Sequence, residues 1–243
     1  MALEIKNISV AYDNEAVINN IDLRVDPGQI CTIVGPSGCG KSTLLKAIAG
    51  LLTPVTGEVL FSGKHVDSKM HTIGYIPQSY GLLPWQTVQK NIETGLKLKK
   101  LPLLQGGVSV AKSVLSRVGL DGFSQKFPRE LSGGQQQRVA IAKAFALAPD
   151  ILLMDEPFSA LDAMTKEEMQ DFFLEIWHRS SGTTIFITHD IEEAVLLGDK
   201  VVVLGKEGII ATVENEVSSR DDDDFHSLCR EVRKFLRGGK SDV

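Results

Sequence analysis

Apolar residues alternate with polar ones at Leu3, Ile5, Ile8 and Val10, and again at Ile21, Leu23 and Val25. That period predicts two half-buried strands, and Tyr12-Asp13-Asn14-Glu15 between them reads as a turn. The pattern changes at Ile30–Val34, a short unbroken apolar run that ends at Gly35. Lys41–Leu52 then has helical composition and spacing, so the order is strand, glycine loop, helix. Thr56–Phe61 and Thr72–Ile76 are further short strands.

From about Thr87 to Ala148 the character differs. Val110, Val114, Leu115 and Val118 have the spacing of one helix face, and Gly119 is placed as its C-cap. Ser132 and Gln135 fit a capping box ahead of Val139, Ile141, Ala142 and Phe145. No strand pattern is visible here, and the block reads as a helical insertion in an α/β core. The alternation then resumes with a buried strand at Ile151–Met154, a helix at Met164–Arg179 and a strand at Thr184–Thr188. A short helix at Ile191–Leu197 and a strand at Val201–Leu204 follow. Strands separated by helices imply parallel pairing, with ligands gathered at the carboxyl ends of the strands.

The tail carries Asp221–Asp224, which could be taken for a metal site. A helix explains it better. Phe225, Leu228, Cys229, Val232, Phe235 and Leu236 form an apolar stripe. Acids before it and Arg230, Arg233, Lys234 and Arg237 towards its end complement the helix dipole.

Composition narrows the class. At 243 residues the chain can bury a large core. Its formal charge of −5 argues against nucleic acid as the main partner. No apolar run approaches the roughly 18 residues of a membrane span, and MALEIKNISV is not a signal peptide. Three scattered cysteines, Cys31, Cys39 and Cys229, suit a reduced compartment rather than a disulfide framework or zinc site.

The chemistry lies in a few motifs. GPSGCGKST, Gly35-Pro36-Ser37-Gly38-Cys39-Gly40-Lys41-Ser42-Thr43, contains the full P-loop pattern between a predicted strand and helix. Its glycines let successive N–H groups face phosphate oxygens, and the helix start adds positive dipole. Lys41 is placed to reach the β- and γ-phosphates of a nucleoside triphosphate, and the Ser42 hydroxyl to ligate Mg²⁺. Cys39 reads as a small loop filler or as a redox-sensitive thiol at a helix N-terminus. ILLMDEP places Asp155 and Glu156 at the end of a buried strand, Asp155 to hold Mg²⁺ through water and Glu156 to polarise an attacking water. His189 closes TIFIT at another strand end, where it could orient water or sense the γ-phosphate; alone it is also an ordinary structural histidine. The Gln78 amide could reach Mg²⁺ or water. LSGGQQQR, Leu131–Arg138, adds a second anion-type helix start at Ser132-Gly133-Gly134, which alone could equally be a capped helix. One chain thus has two anion-binding helix starts and one nucleotide loop, which suggests two chains sharing nucleotides face to face.

Together these motifs, in this order from Tyr12 to about Leu204, resemble the nucleotide-binding subunits of ABC transporters. The resemblance implies a P-loop NTPase (RecA-like) α/β core with an antiparallel β subdomain, over about 1–86 and 149–243. A helical subdomain at about 87–148 would carry the signature. It implies that Tyr12 stacks on adenine and that Gln78 is the Q-loop glutamine, touching Mg²⁺ and sensing a membrane partner. Ser132-Gly133-Gly134-Gln135 would close on the γ-phosphate held by the opposite subunit. Ser159-Ala160-Leu161-Asp162 resembles the D-loop and His189 the switch histidine. ATP and Mg²⁺ are the implied ligands, with Glu156, His189 and Lys41 catalytic. The implied partners are permease subunits, a second cassette (identical or a paralogue) and a solute-binding protein, at the cytoplasmic face of the membrane.

LLPWQTVQKNI, FPRELSGGQQQR and DEPFSALDAMTKEE resemble the bacterial nitrate, sulfonate and taurine importer subunits, although GKHVDSKMHTIGYIPQ lacks the Gly-Pro-Gly turn of that subgroup. An exporter or lipid-trafficking subunit and a soluble ABC ATPase of translation or DNA repair are the alternatives; a P-loop kinase would not need LSGGQ. Leu82, Leu83, Pro84 and Trp85 either dock a cytoplasmic helix of the permease or pack against the helical insertion.

Overall fold

In the computed structural model, which describes residues 2–12, 15–67, 69–105, 108–179, 182–217 and 219–238, the elements follow the alternation of the sequence closely. They are β1 (Leu3–Tyr12), β2 (Glu15–Val25), β3 (Ile30–Val34), α1 (Lys41–Ile48), β4 (Thr56–Phe61), β5 (Lys64–His65) and β6 (Ile73–Ile76). Next come α2 (Val88–Leu98), β7 (Leu104–Gln105), β8 (Val108–Ser109), α3 (Val110–Arg117), a 3₁₀ turn (Pro128–Glu130) and α4 (Gly133–Ala146). The chain continues through β9 (Ile151–Asp155), α5 (Ala163–Trp177), β10 (Thr183–Ile187) and α6 (Ile191–Leu197). It closes with β11 (Lys200–Gly205), β12 (Gly208–Glu214) and α7 (Phe225–Gly238). They fall into two compact units: Met1–His71 with Leu153–Glu156 and Gly182–Val243, and Thr72–Leu152 with Pro157–Ser181.

The first unit holds two sheets. β2-β1-β4-β5 are antiparallel neighbours, and β1 buries Leu3, Ile5, Ile8 and Val10, the alternating set. In the second sheet the order runs β12-β11-β3-β10-β9. β3 is parallel to both β10 and β11, with Ile33 level with Ile187 on one side and Val202 on the other. All five β3 residues are buried, as expected of a strand covered on both faces. Phe225, Cys229 and Val232 are the buried positions of α7, so the tail is the predicted amphipathic helix.

Two expectations need correction. Val201–Leu204 is not the last strand: β12 returns antiparallel along β11, from Gly205 opposite Gly208 to Lys200 opposite Glu214. The 87–148 block is not free of strand, because β7 and β8 form a two-residue antiparallel ladder. The predicted turn at Asp13-Asn14 lies outside the described residues; Tyr12 and Glu15 on either side are register partners.

The second unit is built mainly on helices. Val88, Ile92 and Leu96 of α2, Ala111 and Leu115 of α3, and Val139 and Ala142 of α4 share one apolar cluster. Thr87, Ser109, Ser132 and Asp162 cap α2, α3, α4 and α5, each accepting from a backbone N–H of the first turn. Gly119, at φ 67°, follows α3 in the left-handed conformation that ends helices. Phe173 is fully buried, with Phe145, Phe158 and Trp177 rings centred 6.3, 6.4 and 6.3 Å away. Replacing such a ring leaves a cavity that the surrounding helices cannot fill. Phe173→Ala should cost about 3–5 kcal/mol, measured by urea unfolding, whereas Phe173→Leu should cost clearly less.

Candidate functional site

Every motif residue of the first unit lies at or next to the carboxyl end of a strand. β3 stops at Val34, and Gly35 follows where no side chain fits: a Cβ there would lie 2.2 Å from the Leu204 carbonyl oxygen. The loop turns back through Gly38 (φ 79°) and reaches Gly40 (φ 99°), the left-handed N-cap of α1. Both conformations suit glycine. Lys41 opens the helix and folds over the loop, its ammonium donating to the carbonyls of Gly35 at 2.8 Å and Pro36 at 3.1 Å. An ammonium has three protons, so the third can address a phosphate while the other two brace the loop.

Beside this cradle the Ser42 hydroxyl donates to Asp155 Oδ1 at 3.0 Å. Asp155 is buried, and desolvation holds its carboxyl above the ordinary range, with the Ser42 bond acting in the opposite sense. A hydroxyl and a carboxylate side by side are hard oxygen donors of the kind Mg²⁺ takes. The residues therefore fit that ion.

Glu156 is held in an unusual backbone conformation, φ 46°, while its N–H donates to the Ile187 carbonyl at 2.9 Å. Left-handed φ in a non-glycine residue costs of order 1–3 kcal/mol and concentrates at functional sites. One carboxylate oxygen meets His189 Nδ1 at 3.0 Å. Ser42, Asp155, Glu156 and His189 are thus joined pairwise, while Tyr12 sits at the end of β1, 44% exposed.

Cys39 is buried, and desolvation pushes its thiol pKa up. Burial favours the space-filling reading of Cys39, whose Sγ is 2.9 Å from where a Cβ on Gly35 would lie.

The second unit carries the remaining candidates. Ser132 and Gln135 form the capping box in full, Ser132 N–H donating to Gln135 Oε1 at 3.1 Å and Gln135 N–H to Ser132 Oγ at 3.3 Å. Gly133 and Gly134 open α4, and a Cβ on Gly134 would fall 2.9 Å from Thr165 Cγ2. Asp162 caps α5, its two carboxylate oxygens accepting from Thr165 N–H at 3.1 Å and Thr165 Oγ1 at 2.8 Å. Those bonds hold its carboxyl below the ordinary range. Gln78 lies just after β6. In the segment beyond it, Leu82 packs partly against the apolar cluster, whereas Trp85 is 71% exposed.

Three further residues were given no role by the sequence, although Asn91 falls within LLPWQTVQKNI. Tyr80 has φ 64° and a buried hydroxyl. Asn91, fully buried in α2, accepts from Leu83 N–H at 2.7 Å and donates to the carbonyls of Leu83, Gln86 and Thr87 at 3.1 Å each. Lys143 of α4 donates to the Gly81 carbonyl at 2.8 Å. A polar residue on an otherwise apolar helix face was the available signal for Asn91 and Lys143. Tyr80 offered none.

A strand, a glycine loop and a helix start, with an acidic pair at the end of another strand of the same sheet, define a P-loop nucleoside triphosphatase. More narrowly, the chain belongs to the ABC transporter family, whose ATP-binding cassettes hydrolyse ATP; the family model "ABC transporter" matches residues 18–159. It is 39% identical over 249 residues to the aliphatic sulfonates import ATP-binding protein of Bacillus cereus, covering 98% of each chain. It is 45% identical over 206 residues to the uncharacterized ABC transporter ATP-binding protein MJ0412 of Methanocaldococcus jannaschii, covering 83% of this chain and 77% of the other. Among solved structures, the ATP-binding cassette MJ0796, a dimer in a post-hydrolysis state bound to ADP and Pi, has a TM-score of 0.78 at 31% identity. That match covers 88% of this chain and 99% of the other. Among the described residues no helix is long and apolar enough to cross a membrane.

Proposed function

We propose that the protein is the ATP-hydrolysing motor of an importer, acting as a dimer on the cytoplasmic face of the membrane. Its partners would be permease subunits and a solute-binding protein that delivers a small anion such as nitrate, a sulfonate or taurine. The pairing of Glu156 with His189, beside the Ser42–Asp155 bond, carries the hydrolytic part of this reading. The importer part is supported by similarity to the sulfonate relative along nearly the whole of both chains.

The loop N–H groups and Lys41 bind the phosphates and offset their charge. Mg²⁺, when bound, supplies further positive charge to the phosphate oxygens; Ser42 and Asp155 would hold it. Glu156 takes a proton from water as the water oxygen bonds to the γ-phosphorus. The bond from that phosphorus to the bridging oxygen breaks, and its electron pair leaves with ADP. His189 keeps the Glu156 carboxylate aimed, and the left-handed backbone of Glu156 fixes where that carboxylate starts. Tyr12, exposed on β1, offers a ring for adenine.

Ser132, Gly133, Gly134 and Gln135 of one copy would complete the site of the other, with Asp162 at the same interface. The helix start is already ordered by its capping box, so little entropy is lost on closure. Trp85 is the docking residue for a cytoplasmic helix of the permease.

Three outcomes test this reading. Glu156→Gln should lower ATP turnover by roughly 10² to 10⁴ with ATP affinity unchanged; normal turnover would remove Glu156 from its role. Ser132→Arg should abolish hydrolysis while the monomer binds ATP as before, checked by equilibrium titration at low protein concentration. Loss of monomer binding would contradict a signature that acts across the interface. Affinity purification from detergent-solubilised membranes should recover a multi-span permease. Recovery with ribosomal or DNA-repair proteins from the soluble fraction would overturn the transporter reading.

A further inference from the structure

The segment from Gln78 to Trp85 is not a loose connection. Tyr80 N–H donates to the Pro77 carbonyl at 2.8 Å, and Gln86 N–H to the Leu83 carbonyl at 3.1 Å. Tyr80 and Gly81 are both left-handed, at φ 64° and 61°. Two successive left-handed residues turn the chain sharply, and one of them is a tyrosine that pays for its conformation in strain. Something outside the loop must hold it.

Two helices do so. From α2, the Asn91 side chain accepts from Leu83 N–H and shares its two amide protons among the carbonyls of Leu83, Gln86 and Thr87, fixing the Trp85 end. From α4, Lys143 donates to the Gly81 carbonyl at 2.8 Å, fixing the strained turn itself. Lys143 is largely desolvated, which lowers its pKa. An ammonium placed there needs an acceptor, because burying the charge without one is expensive. The turn also passes near the other end of α4. The Tyr80 hydroxyl is 3.9 Å from where a Cβ on Gly133 would sit, so the same turn also reaches the signature glycine. The loop after Gln78 is therefore bonded to α4 at Lys143 and runs close to the first residue of that helix.

We infer that Lys143 is a positioning residue that fixes the Gln78–Trp85 loop to the signature-bearing helix α4, so that the two shift as one piece. What this achieves rests on the transporter reading above: a push at Trp85 would reach Ser132–Gln135 and Gln78 together. A hydrogen bond from a charged donor is among the stronger ones, and here it is aimed at the carbonyl of a left-handed residue.

The test uses the full chain with Lys143→Met, which keeps length and helix propensity but removes the donor, and Lys143→Arg, which keeps a cation. Hydrogen exchange should show the Tyr80, Leu83 and Gln86 amides opening about tenfold or more faster in Lys143→Met, with amides of α4 at 139–142 unchanged. Acrylamide quenching of Trp85 should rise in parallel; Trp177, 6% exposed, contributes little. ATP turnover should fall several-fold with KM for ATP within about twofold, because the phosphate loop is untouched, and Lys143→Arg should restore both readouts. Unchanged loop exchange would overturn the inference. So would α4 amides opening as fast as the loop, since Lys143 would then be supporting the helix, and so would failure of Lys143→Arg to restore the loop. Loop exchange is read without nucleotide or permease, so failure of the hydrolytic reading leaves this result standing.

Discussion

The near-contact of Gly35 with the Leu204 carbonyl is the constraint on which the phosphate site depends. β3 is enclosed by β10 and β11 and buried along its whole length, so its position is set by the sheet. At its carboxyl end the neighbouring strand leaves 2.2 Å where a Cβ would go. Only a glycine passes, and the chain must turn at once. The curl through Gly38 and Gly40, and the return of the Lys41 ammonium to the Gly35 carbonyl, follow from that early turn. The cradle is preorganised by backbone sterics and a single cation, so its donors need little rearrangement when a phosphate arrives.

The same sheet edge imposes a second, costlier geometry. Asp155 ends β9 and is bonded to Ser42, while the next residue reverses into a left-handed conformation tied to Ile187 by its N–H. Consecutive residues on a continuing strand would send their side chains to opposite faces. The reversal at Glu156 instead lets Asp155 meet Ser42 while Glu156 meets His189 from the end of β10. Stability is given up at one residue so that two carboxylates take separate partners. Desolvation opposes the charge on Asp155, but a bound cation would favour that same charge, which is the balance a metal ligand requires.

Most of the fold, and the candidates Lys41, Ser42, Asp155, Glu156 and His189 that the first unit brings together, were legible in the sequence for physical reasons. Buried parallel strands announce themselves as apolar runs, and the glycines after β3 follow from close backbone approach. Ser132 and Gln135 at the right interval identified a helix start that the hydrogen bonds bear out. β12 was missed because its burial is shallow: GIIATVE has only partly buried and exposed positions, so its apolar content gave no clear alternation. β7 and β8 were missed because two residues cannot establish a period. The left-handed φ of Glu156 and Tyr80 left no trace in residue type, since neither residue is one that favours it. Asn91 and Lys143 were hidden for a different reason: their partners are main-chain groups, which have no identity in a sequence.

The start of α4 has the geometry that the proposed role across a dimer interface requires. In α4, Gln135 N–H is satisfied by Ser132 Oγ and Gln136 N–H by the Ser132 carbonyl. The N–H groups of Gly133 and Gly134 belong to the first turn and have no intrahelical acceptor. Both residues lack side chains, so an anion can approach their backbone closely, and the helix dipole favours it. Thr165 Cγ2 crowds Gly134 from the side of α5, and Asp162 secures that side by capping α5 through the same threonine. The start of α5, capped by Asp162, therefore lies beside the start of α4 within the second unit. Under the proposed function, a phosphate reaching that helix start would find the Gly133 and Gly134 N–H groups and the Ser132 hydroxyl of an N-terminus already ordered by its capping box.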